Sequence, residues 1–463
     1  MRSVRLAIAI LVLVVAGTTA VAAPSPAAAT SAPVAGPAVA TQAASFDPPT
    51  ATARFGASIA FEQRFRATAQ PARVEILLEF PGALGPHVVE VPSPVPVGGA
   101  LTLRHVLNLG EGHILPNTMV GARWRVTARD GSIELGPRVA VLYADTRFTW
   151  RTRTGDRVHV HWYGGSDAFG ARALDIGERA VAETGTLLGV AESDPIDFFI
   201  YAEQAAFYDA LGPGTRENVG GQANAEIRTL FALIGPDSIN DPWVGIVIPH
   251  ELTHLVFDTA VANPYHFPPR WLNEGLAVYL SAGYAAADRR EVTDAVRRNA
   301  LTPLDGLGGQ FPTTRDEFFL AYAESVSAVD FLVATYGRDA LITLIRSYAA
   351  GTTDDEAFLA ALGVDVAAFD AAWRSSVGAG APAVYGPQPA PAGPVPPGWD
   401  VPVIVGDVAS PRPGTSPGDG PTSPPDSVAG DALPLIPLIG TAAAVAAVLG
   451  FVGWRARQRR LHS

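Results

Sequence analysis

The chain has 463 residues, 48% of them hydrophobic, a formal net charge of −12 and no cysteine. That length supports more than one packed core, the negative charge argues against general nucleic-acid binding, and the missing thiols exclude disulfides and thiolate metal sites. The basic residues other than histidine are all arginine.

Arg2 and Arg5 precede an apolar run from Leu6 to Ala16, and Ala20-Val21-Ala22 supplies small residues for cleavage, so residues 1–22 read as a secretory signal peptide. Residues 23–45 form an Ala/Pro/Thr-rich linker of low complexity. Strand-like alternation follows at Ala57–Phe65, Arg73–Phe80, His87–Val91, Leu101–Leu107 and Ala122–Ala128, which turns through Asp130-Gly131 into Ser132–Leu135. Residues 46–145 are therefore expected to form an antiparallel, all-β sandwich, immunoglobulin-like in type, with nothing catalytic in it.

From Thr146 the period changes. Strands at Val158–Tyr163 and Ile196–Tyr201 flank an amphipathic helix at Asp167–Leu188, and one or two edge strands lie within Asn218–Phe231. The next helix carries His250. Asp241-Pro242 has the character of a cap and first turn, and Pro249 predicts a helix boundary or bend beside His250. After Pro268-Pro269 a helix spans Arg270–Leu280, and more follow at Asp288–Asn299, Asp316–Tyr336, Asp339–Ala349, Asp354–Leu362 and Asp365–Ser376. A small sheet followed by a helical lobe makes residues 146–378 an α+β domain.

Residues 379–432 are rich in Pro, Gly, Ser and Asp and read as a disordered stalk. Leu433–Trp454 carries no charge and is long enough for one transmembrane helix, and Arg455, Arg457, Arg459 and Arg460 place the basic tail, residues 455–463, in the cytoplasm. The layout is also similar to a cell-wall sorting signal, but no Leu-Pro-x-Thr-Gly is present. The chain is thus expected in the cell membrane, single-pass, with its N-terminal ectodomain outside.

The chemistry concentrates in His250-Glu251-Leu252-Thr253-His254 and in Asn273-Glu274. Residues four apart share a helix face, so His250 and His254 can hold one zinc ion while Glu251 points at a metal-activated water. Neutral imidazoles and a carboxylate suit zinc, and a catalytic site takes three protein ligands and leaves one position open. Glu274 is the natural third ligand and Glu251 the general base.

At these residues the chain resembles a family. His250-Glu-Leu-Thr-His-Leu-Val-Phe-Asp258 looks like the active-site helix of thermolysin, and Arg270-Trp-Leu-Asn-Glu-Gly-Leu-Ala277 is similar to the Trp-Leu-Asn-Glu-Gly-Phe-Ala segment of aminopeptidase-N-like enzymes. Both are gluzincins of the peptidase MA-like superfamily. The resemblance implies a zincin-type domain with one Zn2+, ligands His250, His254 and Glu274, and Glu251 as base. Ala321-Tyr322-Ala-Glu-Ser-Val-Ser-Ala-Val-Asp-Phe331-Leu332 resembles the helix whose tyrosine hydrogen-bonds the tetrahedral oxyanion, and Tyr322 inherits that role. Where thermolysin has an aspartate four residues beyond the ligand glutamate, this chain has Val278, which leaves His250 without an assigned supporting residue. Asn273 is a candidate support for His254, and Asp258 for the metal helix. Gly220–Glu226 stands where aminopeptidases hold the substrate amine with a Met-Glu-Asn motif, and that motif is not matched. An extended peptide can still add there as a strand, so an endopeptidase is favoured.

His159 and His161 share a strand face and form a candidate second metal pair without a third ligand, and His266 lies in the loop between the ligand segments. Arg289, Arg290, Arg297 and Arg298 read as a solvated helix face or a carboxylate site. The expected partners are a peptide or protein substrate and the membrane, not nucleic acid. The competing readings are a non-catalytic surface binding protein that kept the zincin fold, and a specialised aminopeptidase. Neither substrate preference nor oligomeric state is encoded legibly.

Overall fold

The computed structural model describes residues 46–67, 69–110, 113–212, 220–263 and 265–381. The expected signal peptide, linker, transmembrane helix and basic tail, and nearly all of the stalk, lie outside them.

Two antiparallel sheets open the described chain. Strands β1 (Thr50–Arg54), β2 (Ser58–Arg66) and β5 (Ala100–Asn108) form one, in the order β1-β2-β5. The other has the order β4-β3-β6-β7, from β3 (Arg73–Glu79), β4 (His87–Val91), β6 (Thr118–Thr127) and β7 (Ile133–Leu135), with β8 (Val139–Tyr143) also paired to β6. Alternation is the cause: Ile59, Phe61, Ile76, Leu103 and Trp124 point inward and are fully or almost fully buried in one shared apolar core. β1 and β8 escape the sequence reading. Both are short and mostly half-exposed, so their alternation is faint.

The second sheet system is mixed. Its order is β12-β13-β11-β10-β9, from β9 (Arg151–Thr154), β10 (Val158–Trp162), β11 (Ile196–Tyr201), β12 (Gly221–Asn224) and β13 (Thr229–Leu233). β10, β11 and β13 are parallel, while β9 and β12 are antiparallel to their neighbours. α1 (Asp167–Leu188) makes the β10-to-β11 crossover. Ser166 caps it, Gly189 ends it at φ 65°, and Gly170 lets it sit on Trp162, because a Cβ there would lie 2.4 Å from the indole. α2 (Gln204–Leu211) follows β11.

The helical lobe comprises α3 (Val244–Val261), α4 (Arg270–Ser281), α5 (Ala286–Arg298), α6 (Arg315–Tyr336), α7 (Arg338–Ser347), α8 (Asp354–Leu362) and α9 (Val366–Ser376). α3 runs unbroken through Pro249, so no helix boundary falls there. A proline in its second turn forfeits the hydrogen bond to the Gly245 carbonyl, and the apolar surroundings that bury most of α3 outweigh that loss. Among the described residues α6 is long and apolar enough to cross a bilayer, yet most of it is buried within the protein, as befits a core helix.

The N-terminal sheets are tied to the mixed sheet by polar contacts. Asn117, at φ 68°, donates to Asp197 Oδ2 and Thr229 Oγ1, each at 2.9 Å, and Tyr201 donates to Asp145 Oδ2 at 3.0 Å. Arg147 donates to both oxygens of Asp145, from Nε to Oδ1 and from Nη2 to Oδ2. These contacts fix β11 and β13 as the platform on which the edge strand β12 rests.

Candidate metal centre

α3 presents His250 and His254 one turn apart, with ring centroids 4.9 Å from each other. α4 packs across α3 and brings Glu274 to them: its Oε2 lies 3.5 Å from Nε2 of each histidine. All three side chains are at most 5% exposed. The two Nε2 atoms and Glu274 Oε2 are buried without a protein hydrogen-bond partner. Two donor-to-donor edges of 3.5 Å match the roughly 3.4 Å edge of a tetrahedron drawn around zinc at about 2.1 Å. The group fits zinc in donor type as well. Burial pushes the His254 pKa down and keeps that ring neutral, while Glu274, despite its burial, is held below the usual glutamate range with the Arg270 guanidinium beside it. Among the described residues no other His/Cys/Asp/Glu group is arranged to hold a metal.

Asn273 Oδ1 stands 2.8 Å from His254 Nδ1, which sets that ring's orientation. His250 Nδ1 has no such partner among the described residues, in keeping with Val278 at the position where a carboxylate would reach it. Arg270, four residues before Glu274, donates from Nε and Nη2 to Glu274 Oε1 at 3.2 and 3.1 Å. The sequence reading assigned Arg270 no role. Its spacing of one helical turn from the ligand glutamate was the available signal.

Glu251 is fully buried on the sheet side of α3. Its Oε2 accepts the Ala223 N–H of β12 at 3.0 Å, and a Cβ at Gly221 would lie 2.8 Å from its Cγ. Glycine at 221 is therefore needed for the strand to pass this close. Burial and the nearby Glu274 charge raise the Glu251 pKa well above the usual glutamate range. β12 pairs with β13 on one side, so its other edge is free of strands among the described residues.

Tyr322 approaches the same cluster from α6. Its ring is 6.4 Å from that of His250 and packs on Phe311 and Phe318, and its hydroxyl interacts with Glu274 and Arg270. Burial pushes its ionisation far up. α4 and α6 lie this close because residue 275 is glycine: a Cβ there would meet the Ser325 carbonyl oxygen at 2.4 Å.

The remaining candidates lie elsewhere. Asp258 is two turns beyond His250, and its charged neighbours are Arg228, Glu192 and Glu226. His159 and His161 share Asp197, at 3.5 and 3.0 Å. His266 pairs with Asp354 at 2.9 Å, Arg289 with Asp330 and the Tyr284 ring, and Arg297 with Asp294.

Residues 177–379 match the family model described as Peptidase MA superfamily, a stretch that contains the ligand cluster, Glu251 and Tyr322. No curated protein matches the chain. Among solved structures, the chain is similar to an aminopeptidase N family protein from Idiomarina loihiensis, at 10% identity and TM-score 0.36 over 65% of this chain and 70% of that one. An M1 zinc metallopeptidase from Deinococcus radiodurans aligns at 15% identity and TM-score 0.31 over 73% and 92%. The ZmpB metallopeptidase from Clostridium perfringens aligns at 11% and 0.30, over 71% of each chain. The family match supports a zincin-like metallopeptidase domain in residues 177–379.

Proposed function

We propose that this chain is a zinc-dependent gluzincin that hydrolyses peptide bonds in unstructured polypeptides as an endopeptidase. The observation that carries this reading is the convergence of three buried donor atoms without protein partners, from His250, His254 and Glu274, with Glu251 beside them. These three residues would hold one zinc ion, which when bound acidifies water and polarises a carbonyl. Glu251 would receive the proton of the attacking water on Oε1, the carboxylate oxygen that lacks a partner, while Ala223 holds Oε2. A basicity raised by burial suits a group that must accept a proton and then pass it to the leaving amine. Tyr322 keeps its phenolic proton at neutral pH and would donate it in a hydrogen bond to the developing oxyanion. Asn273 orients His254 through Nδ1. Asp258 lies among Arg228, Glu192 and Glu226 and would act away from the histidines.

The edge of β12 that no described strand covers would take an added peptide strand beyond the Ala223 N–H that Glu251 holds, and Gly221–Asn224 carries no carboxylate to hold a free amine, which favours internal cleavage. Peptides with blocked and free N-termini separate this from a specialised aminopeptidase. From the sequence signals we also infer an ectodomain outside the cell, a stalk and one membrane helix, with the N-terminal sheets as an immunoglobulin-like spacer. The decisive test is zinc content and cleavage of an unfolded protein by the purified chain beside Glu251→Gln. The variant should keep its zinc and lose about 10²–10⁴-fold in turnover, and undiminished turnover would refute the assignment.

A further inference from the structure

Arg270 has no place in the reading above, yet it is the cation nearest the ligand cluster. Its Nε and Nη2 both converge on one oxygen of Glu274, Oε1, at 3.2 and 3.1 Å. The other oxygen, Oε2, is the one that faces both histidines. The guanidinium lies over the Phe311 ring at 4.8 Å, and the Arg270 backbone N–H is fixed to the Gly308 carbonyl at 2.8 Å. Its side chain is 22% exposed, so the charge is largely desolvated and its strongest carboxylate contact is Glu274.

A carboxylate beside a divalent cation has two ways to bind, through one oxygen or both, and a free glutamate side chain exchanges between them by a small rotation. Two N–H donors on Oε1 oppose that rotation. We infer that Arg270 is a positioning residue that commits Glu274 to the metal through Oε2 alone, so that Glu274 occupies one coordination position and another stays open for substrate. Tyr322, whose hydroxyl interacts with both Arg270 and Glu274, is held by the same grip, which links the ligand carboxylate to the oxyanion donor.

Charge and grip act in opposite directions on metal affinity. A guanidinium near a divalent cation repels it, while orientation of the ligand favours binding, and supporting residues of this kind are worth about 10–100-fold in affinity. Arg270→Lys separates the two effects, since lysine keeps the charge but is a single-point donor without the planar fork.

The inference rests on the metallopeptidase reading, and the experiment distinguishes their failures. Zn2+ affinity of the purified full chain is measured by competition with a chromophoric chelator, and the visible spectrum is recorded with Co2+ in place of Zn2+. If the wild type takes up no metal, the metallopeptidase reading itself falls. If it does, Arg270→Lys should bind Zn2+ at least tenfold more weakly. The Co2+ absorption should also lose intensity as Glu274 turns to offer both oxygens and coordination expands. Phe311→Leu, which removes the stacking ring and no charge, should shift the spectrum in the same direction by less, and it serves where Arg270→Lys does not fold. Unchanged affinity and an unchanged Co2+ spectrum in whichever variant folds overturn the role assigned to Arg270.

Discussion

Glu75 and Glu274 are both buried and gripped by arginine, and the grips differ. In the N-terminal sheets Glu75 receives Arg125 Nε on Oε2 at 2.7 Å and Nη2 on Oε1 at 2.8 Å, so both oxygens are consumed. Between α3 and α4, Glu274 receives both donors of Arg270 on Oε1, and Oε2 is left facing two histidines. The first arrangement is closed: a fork on a carboxylate, with each charge answered across adjacent strands. The second leaves Oε2 and the two facing Nε2 atoms without a hydrogen-bond partner. On the proposed function, the contrast separates a pair that serves folding from one that would prepare a metal ligand.

Breaking each pair sharpens that contrast. Glu274→Ala should reduce Zn2+ affinity by more than the roughly 100-fold that a supporting residue is worth, because it removes a ligand outright. Glu75→Ala should leave zinc uptake unchanged and cost about 1–3 kcal/mol in urea unfolding, since Arg125 is partly exposed and can hydrate. Equal effects of the two substitutions on zinc would erase the distinction.

Gly275→Ala comes next in size. The added methyl has no room against the Ser325 carbonyl, so α4 and α6 must separate at a cost of about 1–3 kcal/mol. Because that displacement also moves Glu274 away from Tyr322, activity should fall further than stability alone explains, as assayed in the fraction that remains folded.

Another buried glutamate, Glu324, acts through pH and away from the metal cluster. It has no arginine fork: one oxygen accepts the Thr302 N–H at 2.8 Å, the other is unpartnered, and burial lifts its pKa to about 8. A folded-state pKa above the unfolded value of 4.5 means the stability present at low pH is lost as pH rises between about 4.5 and 8, by up to about 1.4 kcal/mol per pH unit. Glu324→Gln keeps the acceptor for Thr302 and cannot ionise. It should flatten the unfolding free energy across that window, and an unaltered slope would show that Glu324 does not ionise there.

Much of this was legible from the chain. The range of α1, of β4 and of β11 follows from periodicity and flanking turn residues, and the i,i+4 histidines identify their own shared face. A helix boundary at Pro249 was not realised, because proline weighs on local propensity while the burial that holds α3 together is contributed by distant segments. β1, β8 and β9 were invisible, being short and largely unburied, and α2 was masked by its brevity.

What the sequence determined by itself is the inventory of the site: two imidazoles one helical turn apart, an acid beside the first, and a second acid on the next helix. Those are consequences of helix geometry, which acts over four residues. Tertiary structure decided which atoms face inward. That Glu274 turns Oε2 and not Oε1 to the histidines, that the Ala223 N–H holds Glu251, and that α6 comes close enough to deliver Tyr322 depend on Phe311, Gly221 and Gly275 meeting elements far away in sequence. Such choices are settled by packing at the scale of a single carbon atom, which no local pattern records.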